Sequence, residues 1–208
     1  TDYKEIKRLR TEAKYRHKDW THYPTKWEID TTKTTILDFK GYEGDTLTSE
    51  ITGFTRLKYD RNRPFTKKVE YQNFYKPIDS VTVPKAYVIR KGWRRVLSLL
   101  ELNQIKYSTI QKDTIINVET YKIDHYKTLN YPYEGHYPHY NTTVSQSTEK
   151  IRFQQGDILI PTDQKGIRYI MEALEPETKD SFFNWNFFDS ILQQKEGFSP
   201  YVFEDEAT

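Results

Sequence analysis

The sequence has 208 residues, of which 36% are hydrophobic, 15% aromatic and 30% charged. Its 17 Tyr, 11 Phe and 4 Trp supply the apolar area that low-complexity segments lack, which excludes a disordered chain. The net charge of +2 does not indicate a nucleic-acid partner, the absence of Cys excludes disulfide and thiolate chemistry, and no apolar run approaches the roughly 20 residues of a membrane span.

The first predicted element is a helix over residues 3–18, a segment rich in helix-forming side chains. Its apolar stripe consists of Ile6, Leu9 and Ala13, which is too thin to bury much surface. We therefore expect residues 1–19 to form a linking helix.

The pattern then changes to short segments of β type. Segments 34–39, 50–57 and 69–74 are separated by turn-forming residues at 41–45 and 60–64. This alternation is typical of an antiparallel fold. It predicts a β-rich, sandwich-like part over residues 20–83.

A strand and helix rhythm follows over residues 84–208. A short apolar strand at 86–89 precedes a helix at 92–103, whose apolar face contains Trp93, Val96, Leu97 and Leu100. A second strand and helix begin at 157, and a third helix is expected to start near Asp180 or Ser181. The predicted class is α+β, with a small α/β part at 84–208 that contains three helices and a partly parallel sheet.

Metal ligands were sought first among the five histidines, because hydrolytic zinc sites need His and Glu at short spacing. No histidine begins an HxxE or HExxH pattern. The sharpest candidates are Glu134, His136 and His139 in the segment EGHYPH, with His125 nearby. They are weak metal candidates. The simpler interpretation is a pair of partly exposed histidines in a Tyr-rich loop.

Carboxylates near the end of the chain suggest a second kind of chemistry. Glu175, Glu177, Asp180 and Asp189 lie among Phe and Trp residues, and a glycosidase uses acids in such a setting to keep one carboxyl protonated. Helix capping by Asp180 and Ser181 explains the same residues more simply. We therefore predict no catalytic residue in this segment.

Aromatic side chains are the candidate binding residues. They crowd one loop and the following aromatic segment, and they comprise Tyr121, Tyr126, Tyr131, Tyr133, Tyr137, Tyr140 and Trp185. Such rings stack on sugars, and they also line protein interfaces, so both partners stay open. The basic residues Arg90, Lys91, Arg94 and Arg95 form a candidate anion site at a helix start, or a solvent-facing cluster.

Five segments, taken in order, carry a family resemblance. They are FKGYEGDTLTSEITGFTRLKYDRNRPFT (39–66), VPKAYVIRKGWRRVLSLLELNQI (83–105), PYEGHYPH (132–139), GDILIPTDQ (156–164) and LEPETKDSFFNWNFFDSILQQKEGFSPYVFE (174–204). Together they resemble the region after the catalytic domain in bacterial zinc carboxypeptidase-like proteins of the carboxypeptidase A type. The likeness runs from about Trp27 onward, and its last segment is the most specific.

The resemblance implies that chemistry is done elsewhere. In that family an HxxE pair, a distant His and a downstream Glu lie on the preceding peptidase domain, and no position here matches them. Zinc is therefore expected in an upstream peptidase domain, with no cofactor in this chain. Such proteins are typically exported, which implies a periplasmic or extracellular location.

We thus expect a non-catalytic accessory domain that packs on the peptidase domain of the same polypeptide and shapes peptide access. The chain itself is not expected to be an enzyme. The main alternative is a carbohydrate- or cell-wall-binding module that uses the Tyr-rich loop. A metal hydrolase built on Glu134, His136, His139 and His125 is a third possibility. No nucleic acid and no membrane span are expected.

Overall fold

A computed structural model describes residues 2–15 and 20–193, so residues 1 and 16–19 of the predicted linking helix and residues 194–208 lie outside the described chain. The elements, in chain order, are α1 (Tyr3–Tyr15), β1 (His22–Ile29), β2 (Thr35–Thr48), β3 (Thr55–Tyr71), β4 (Tyr75–Thr82), β5 (Ala86–Ile89), α2 (Arg94–Leu102), β6 (Ser108–Thr109), β7 (Thr114–Thr128), β8 (His139–Phe153), β9 (Ile158–Pro161), α3 (Ile167–Leu174) and a 3-10 helix (Asp189–Leu192). No helix in these ranges is long and apolar enough to cross a membrane.

The predicted α+β, β-rich class is confirmed. Strands β1 and β4, β2 and β3, and β7 and β8 form two-stranded sheets, while β5, β9 and β6 form a three-stranded sheet in that order. The prediction of a partly parallel sheet is wrong. Strand β9 pairs antiparallel with both β5 and β6. Strands β5 and β6 therefore run parallel to each other, but β9 lies between them and they do not pair. Ile158 and Ile160 are buried, which suits a central strand.

The sandwich-like arrangement predicted for residues 20–83 is also corrected. Strands β2 and β3 form one long antiparallel hairpin, and the predicted turn at 41–45 lies inside it as a register shift between Tyr42 and Gly44. The glycines make room for rings and side chains from the opposite strand. A Cβ on Gly41 would lie 2.7 Å from Cζ of Phe65, and one on Gly44 would lie 2.9 Å from Cδ1 of Leu57.

The chain forms two compact units. The larger comprises Thr1–Lys26 and Asp79–Thr208, and the smaller comprises Trp27–Ile78. Both β1 and β4 contribute residues to each unit. The predicted division into 1–19, 20–83 and 84–208 stays a prediction.

The main core of the larger unit is formed by the three-stranded sheet and helices α2 and α3. Its buried side chains are Ile89, Val96, Leu100, Ile105, Ile158, Ile160, Ile170, Ala173 and Phe182. The predicted apolar face of the second helix is therefore present, since Val96 and Leu100 are its buried residues. Burial of such aliphatic side chains supplies most of the stabilisation of this unit.

The expected last helix does not form over residues 180–188, which adopt turns, and only a short 3-10 helix follows at Asp189–Leu192. Ser181 Oγ does accept the Asn184 backbone N–H at 3.0 Å, which is the bond of a helix N-cap, and the Trp185 N–H donates to the Ser181 carbonyl at 3.0 Å as in an α-helix. The helix does not continue beyond this turn. Asn186 has a φ of 64°, which is incompatible with a right-handed helix.

Candidate functional site

The Tyr-rich loop between β7 and β8 is organised by a tight turn. Tyr133 and His136 exchange two backbone hydrogen bonds, of 2.8 and 2.9 Å. The two residues between them, Glu134 and Gly135, have φ values of 50° and 76°. Positive φ at both central positions is the geometry of a type I′ hairpin turn, which holds Tyr133 and His136 side by side.

The turn segment after Phe183 is tied to this loop. The Asn186 amide makes a reciprocal pair with the Tyr137 backbone: the Tyr137 N–H donates to Oδ1 at 3.1 Å, and Nδ2 donates to the Tyr137 carbonyl at 3.0 Å. The His139 backbone N–H also donates to the Asn184 carbonyl, at 2.7 Å. These bonds join parts of the chain that are more than 40 residues apart in sequence.

The two segments together present four neighbouring rings, here named the aromatic row: Tyr133, Trp185, His136 and Phe187. The ring centroids of Tyr133 and Trp185 are 6.1 Å apart, and those of His136 and Trp185 are 5.6 Å apart in an edge contact. The His136 and Phe187 centroids are also separated by 5.6 Å. Tyr133 is 55% exposed, and the other three rings are half-buried.

The other predicted tyrosines have different surroundings. Tyr126 packs half-buried against His139 and Phe183, with centroid distances of 4.6 and 5.6 Å. Tyr121 is half-buried on β7. The exposed members of the predicted set, apart from Tyr133, are Tyr131, Tyr137 and Tyr140. The structure thus brings Tyr133 and Trp185 together and places Tyr121 and Tyr126 in packed surroundings.

The weak metal candidates do not converge. His139 is buried, with Nδ1 2.8 Å from Thr128 Oγ1 and Nε2 3.2 Å from Asp189 Oδ1. His136 belongs to the aromatic row, and Glu134 lies exposed in the turn. His125 lies exposed on β7. Within residues 2–15 and 20–193, no group of three or more His, Asp or Glu side chains is placed to hold a metal ion.

The four carboxylates of the predicted acidic segment take separate roles. Glu177 is 3.1 Å from Lys26 Nζ, and Asp189 contacts His139. Asp180 accepts a bond from the Trp185 indole N–H at 3.4 Å. Glu175 is buried where α3 ends, and it accepts a hydrogen bond from the Tyr87 hydroxyl. The first three carboxylates therefore orient neighbours near the surface, whereas Glu175 is part of the interior.

Burial raises the pKa of Glu175, and the carboxylates of Glu119 and Glu177 add to this rise, against opposing hydrogen bonds from the hydroxyls of Tyr87 and Tyr121. The same surroundings raise the pKa of the Tyr87 hydroxyl, through burial and through the charge of Glu175. A raised folded-state pKa means that this group stabilises the fold below its unfolded-state pKa. That contribution is lost as the pH rises through the folded value.

We therefore expect Glu175→Gln to flatten the pH dependence of stability. At pH 3 the variant and the parent should unfold at similar temperatures, since Glu175 is then protonated in both the folded and unfolded chain. At pH 7 to 8 the variant should be the more stable of the two. Thermal unfolding across this range, followed by circular dichroism, measures the effect, with the exposed Glu50→Gln as the control. If the unfolding temperature of Glu175→Gln changed with pH in the same way as that of the parent, the expectation would be contradicted.

Three members of the basic cluster, Arg90, Lys91 and Arg95, contact other parts of the chain. The Arg90 guanidinium lies 2.9 Å from the buried Asp157 and donates to the Arg152 carbonyl at 2.8 Å. Lys91 Nζ donates to the Gln155 carbonyl at 3.0 Å, and Arg95 lies 5.2 Å from the Phe187 ring centroid. A cavity of about 580 Å³ opens beside Arg90 and Lys91. The cations in its lining are Arg90, Lys91 and Arg152, and the carboxylates are Asp113 and Asp157, which gives a formal net charge of +1.

The smaller unit carries an exposed apolar face that the sequence interpretation missed. We name it the hairpin surface: Leu37, Phe39, Phe65, Val69 and Tyr71. Antiparallel pairing places Leu37 opposite Val69 and Gly41 opposite Phe65, which puts these odd-numbered positions on one side of the ribbon. At the hairpin tip, Ile51 is 95% exposed and Phe54 is 77% exposed. Within Trp27–Ile78, all of which the structure describes, Asp30 is the one residue classed as buried.

The opposite side of the same ribbon is mixed in character. Its side chains are Ile36, Asp38, Lys40, Tyr42, Pro64, Thr66, Lys68 and Glu70. Asp38 and Lys68 face each other there and form an ion pair of 2.9 Å. Alternation of apolar and polar residues in 35–39 and 65–71 is the sequence signal that would have revealed the two-sided ribbon.

Comparison with protein-family models, with curated proteins and with solved structures gives no match for this chain.

Proposed function

We propose that this chain is a non-catalytic accessory domain of a zinc carboxypeptidase-like protein, which packs on the peptidase domain of the same polypeptide and shapes the access of peptide substrates. The observation that carries the proposal is the hairpin surface. The family resemblance supplies the identity of the partner. Zinc belongs to the upstream peptidase domain in this scheme, and the location is periplasmic or extracellular.

The physical argument starts from the weakness of an isolated ribbon. A two-stranded hairpin has marginal stability in water unless its apolar face packs against another element. Here the hairpin strands extend over Thr35–Thr48 and Thr55–Tyr71, and Leu37, Phe39 and Val69 remain exposed. Thr35 and Lys67 lie on the same side, so the face is apolar in most but not all of its positions. Exposed apolar side chains grouped in this way mark an interaction site.

The chemistry of the hairpin surface favours a protein partner. Leu37 and Val69 are aliphatic, and Phe39 and Phe65 lie with their centroids 6.1 Å apart. The Lys67 ammonium lies 4.2 Å from the Phe65 centroid, so this cation makes a cation–π contact within the ribbon. Such a surface gains free energy mainly by losing contact with water, as the core of a protein interface does.

A domain of the same polypeptide is a favourable partner for such a surface. Covalent connection makes docking intramolecular, so a modest apolar contact suffices at a high effective concentration. The hairpin tip, with Ile51 and Phe54, is at the opposite end of the ribbon from the start of β2 and the end of β3. Docking through the hairpin surface would order the ribbon and leave this tip available to restrict the peptides that enter the peptidase.

Hydrogen exchange tests the docking. In the isolated chain the amides of β2 and β3 should exchange rapidly, because the ribbon lacks a buried apolar face. In the parent polypeptide the same amides should exchange at least about tenfold more slowly. Equal exchange in the two proteins, or a parent without an HxxE-containing zinc domain, would overturn the proposal.

A matched pair of variants on β3 sharpens the test. Val69→Glu adds a charge to the hairpin surface, whereas Thr66→Glu adds the same charge to the opposite side, facing Lys40. We expect Val69→Glu to abolish the slow exchange in the parent and Thr66→Glu to preserve it. If the hairpin shapes access, the ratio of kcat/KM for a long peptide to that for a short one should change by about threefold or more in Val69→Glu alone.

Activity of the isolated chain provides an independent check. We expect the purified 208-residue protein neither to bind zinc tightly nor to release C-terminal residues from peptides in its presence. Clear peptide hydrolysis by the isolated chain would refute the assignment as an accessory domain.

A further inference from the structure

We propose that the aromatic row of Tyr133, Trp185, His136 and Phe187 is a binding site for neutral oligosaccharides, in which a pyranose ring stacks on the exposed Tyr133 ring beside the half-buried Trp185. This site lies in the larger unit and is separate in composition from the hairpin surface. The inference goes beyond the proposed accessory role and does not depend on it.

The row offers a surface of the right chemical type. Tyr and Trp have an apolar ring body and a polar edge, so they can contact the C–H faces of a sugar while the hydroxyls stay in polar surroundings. The hairpin surface, by contrast, contains the aliphatic side chains of Leu37 and Val69. The two exposed surfaces of the chain therefore suit different partners.

The rings are held in place before any ligand arrives. Tyr133 and His136 are adjacent because of the type I′ turn, and the indole N–H of Trp185 donates to Asp180 at 3.4 Å. The reciprocal amide pair of Asn186 with Tyr137 anchors the backbone next to Trp185. Rigid aromatic side chains lose little conformational entropy on binding, which matters for a weakly binding ligand such as a sugar.

Polar groups beside the row match hydroxyl donors. The exposed carboxylate of Asp180 lies next to Trp185, and Glu134 projects from the turn beside Tyr133. In the part of the chain that the structure describes, no hydrogen bond or ion pair occupies the Glu134 carboxylate. These acids can accept hydrogen bonds from sugar hydroxyls.

The local charge selects the class of glycan. Glu134, Asp180 and Asp189 contribute negative charge close to the row, and the positive charge of Arg95 lies against Phe187 at 5.2 Å. An anionic polysaccharide would bring further negative charge next to these carboxylates, which is unfavourable. A neutral oligosaccharide meets no such cost, and we therefore assign the site to that class.

Titration of the full 208-residue chain with defined sugars tests the assignment. The probes are tetrasaccharides of β-1,4-linked glucose, β-1,4-linked N-acetylglucosamine, β-1,4-linked mannose and α-1,4-linked glucose. Indole fluorescence and calorimetry follow binding. We expect at least one tetrasaccharide to bind with a Kd of about 1 mM or tighter, which corresponds to only about 4 kcal/mol.

Three variants locate the site. Trp185→Ala and Tyr133→Ala should each weaken binding by about tenfold, as expected for an aromatic anchor. Tyr59→Ala, which removes an exposed ring from β3, should leave affinity unchanged. Tyr133 is on the surface, so its variant stays informative even if Trp185→Ala fails to fold. Val69→Glu should not alter sugar binding, which separates this test from that of the accessory role.

The inference is overturned if none of the four tetrasaccharides binds at concentrations of several millimolar, or if Tyr133→Ala binds as tightly as the parent. It is equally overturned if a proline-rich peptide, the other ligand that aromatic surfaces recognise, binds the row while the sugars do not.

Discussion

Replacement of Asp157 with Ala should lower the free energy of unfolding by about 2–4 kcal/mol, since hydrogen bonds to a charged group contribute about 1.5–3 kcal/mol each. Asp157 is 1% exposed and accepts three hydrogen bonds. The backbone N–H groups of Lys91 and Gln154 donate at 3.0 and 2.8 Å, and the Arg90 guanidinium donates at 2.9 Å. Alanine removes the acceptor for all three donors.

The pKa of Asp157 makes the effect dependent on pH. Burial raises this pKa, but the backbone donors of Lys91 and Gln154 and the charge of Arg90 outweigh burial, so the pKa is lowered overall. A lowered folded-state pKa gives stability that is present above the unfolded-state value and is lost as the pH falls through the folded value. The difference in the free energy of unfolding between the parent and Asp157→Ala should therefore be largest at pH 7 and should decrease on acidification below about pH 4.

Urea unfolding at pH 7 and at pH 3 measures both parts of this prediction. The control is Asp38→Ala, which breaks an exposed ion pair with Lys68 and should change stability by about 0.5 kcal/mol or less. A cost for Asp157→Ala no greater than that control would show that the three donors find other partners.

Asp157 also illustrates how far the sequence could be interpreted. It begins the segment DILIP, whose apolar character correctly predicted a strand at 158–161. The position of that strand between β5 and β6 could not be predicted, because apolar periodicity reports burial and not the order of strands. Arg90 and Lys91 were interpreted as a candidate anion site because their partner, Asp157, lies more than 60 residues away in sequence. A local pattern cannot reveal a pairing over that distance.

The two exposed surfaces differ in how visible they are in the sequence. Tyr133 and Trp185 were both among the predicted binding residues, because crowded Tyr and Trp residues stand out by composition. Their contact depends on the bonds between Asn186 and Tyr137, which connect the turn segment after Phe183 to the β7–β8 loop and cannot be recognised from the local sequence. The hairpin surface was not predicted because Gly41 and Gly44 are typical turn residues. In the structure both lie within β2, where the absence of a Cβ leaves room for Phe65 and Leu57 of β3.

Substitution of Asn184 with Ala should be comparably destabilising, by about 2–4 kcal/mol, because it leaves two buried partners unsatisfied. Asn184 is 4% exposed, and its Oδ1 accepts from the Thr142 hydroxyl at 2.6 Å. Its Nδ2 donates to the Thr178 carbonyl at 2.7 Å. Both Thr142 and Thr178 are buried, so water cannot replace the lost bonds.

A double-mutant cycle separates this polar network from simple loss of packing. Thr142→Val removes the hydroxyl that Asn184 satisfies while keeping the shape of the side chain. The double variant Asn184→Ala with Thr142→Val no longer contains an orphaned hydroxyl, so its cost should fall short of the sum of the single costs by about 1 kcal/mol. Strictly additive costs would mean that the 2.6 Å contact contributes nothing to stability.

The same variant connects stability with the proposed sugar site. The Asn184 carbonyl accepts the His139 N–H, and the residue directly precedes Trp185, so the network holds the segment that presents the indole ring. At a temperature where the variant remains folded, Asn184→Ala should weaken tetrasaccharide binding although Asn184 is buried and contacts no ligand. Thr142→Val should weaken binding less, because the bond from Asn184 to the Thr178 carbonyl still holds the segment. Unchanged affinity in Asn184→Ala would mean that the reciprocal pair of Asn186 and Tyr137 is enough to position Trp185.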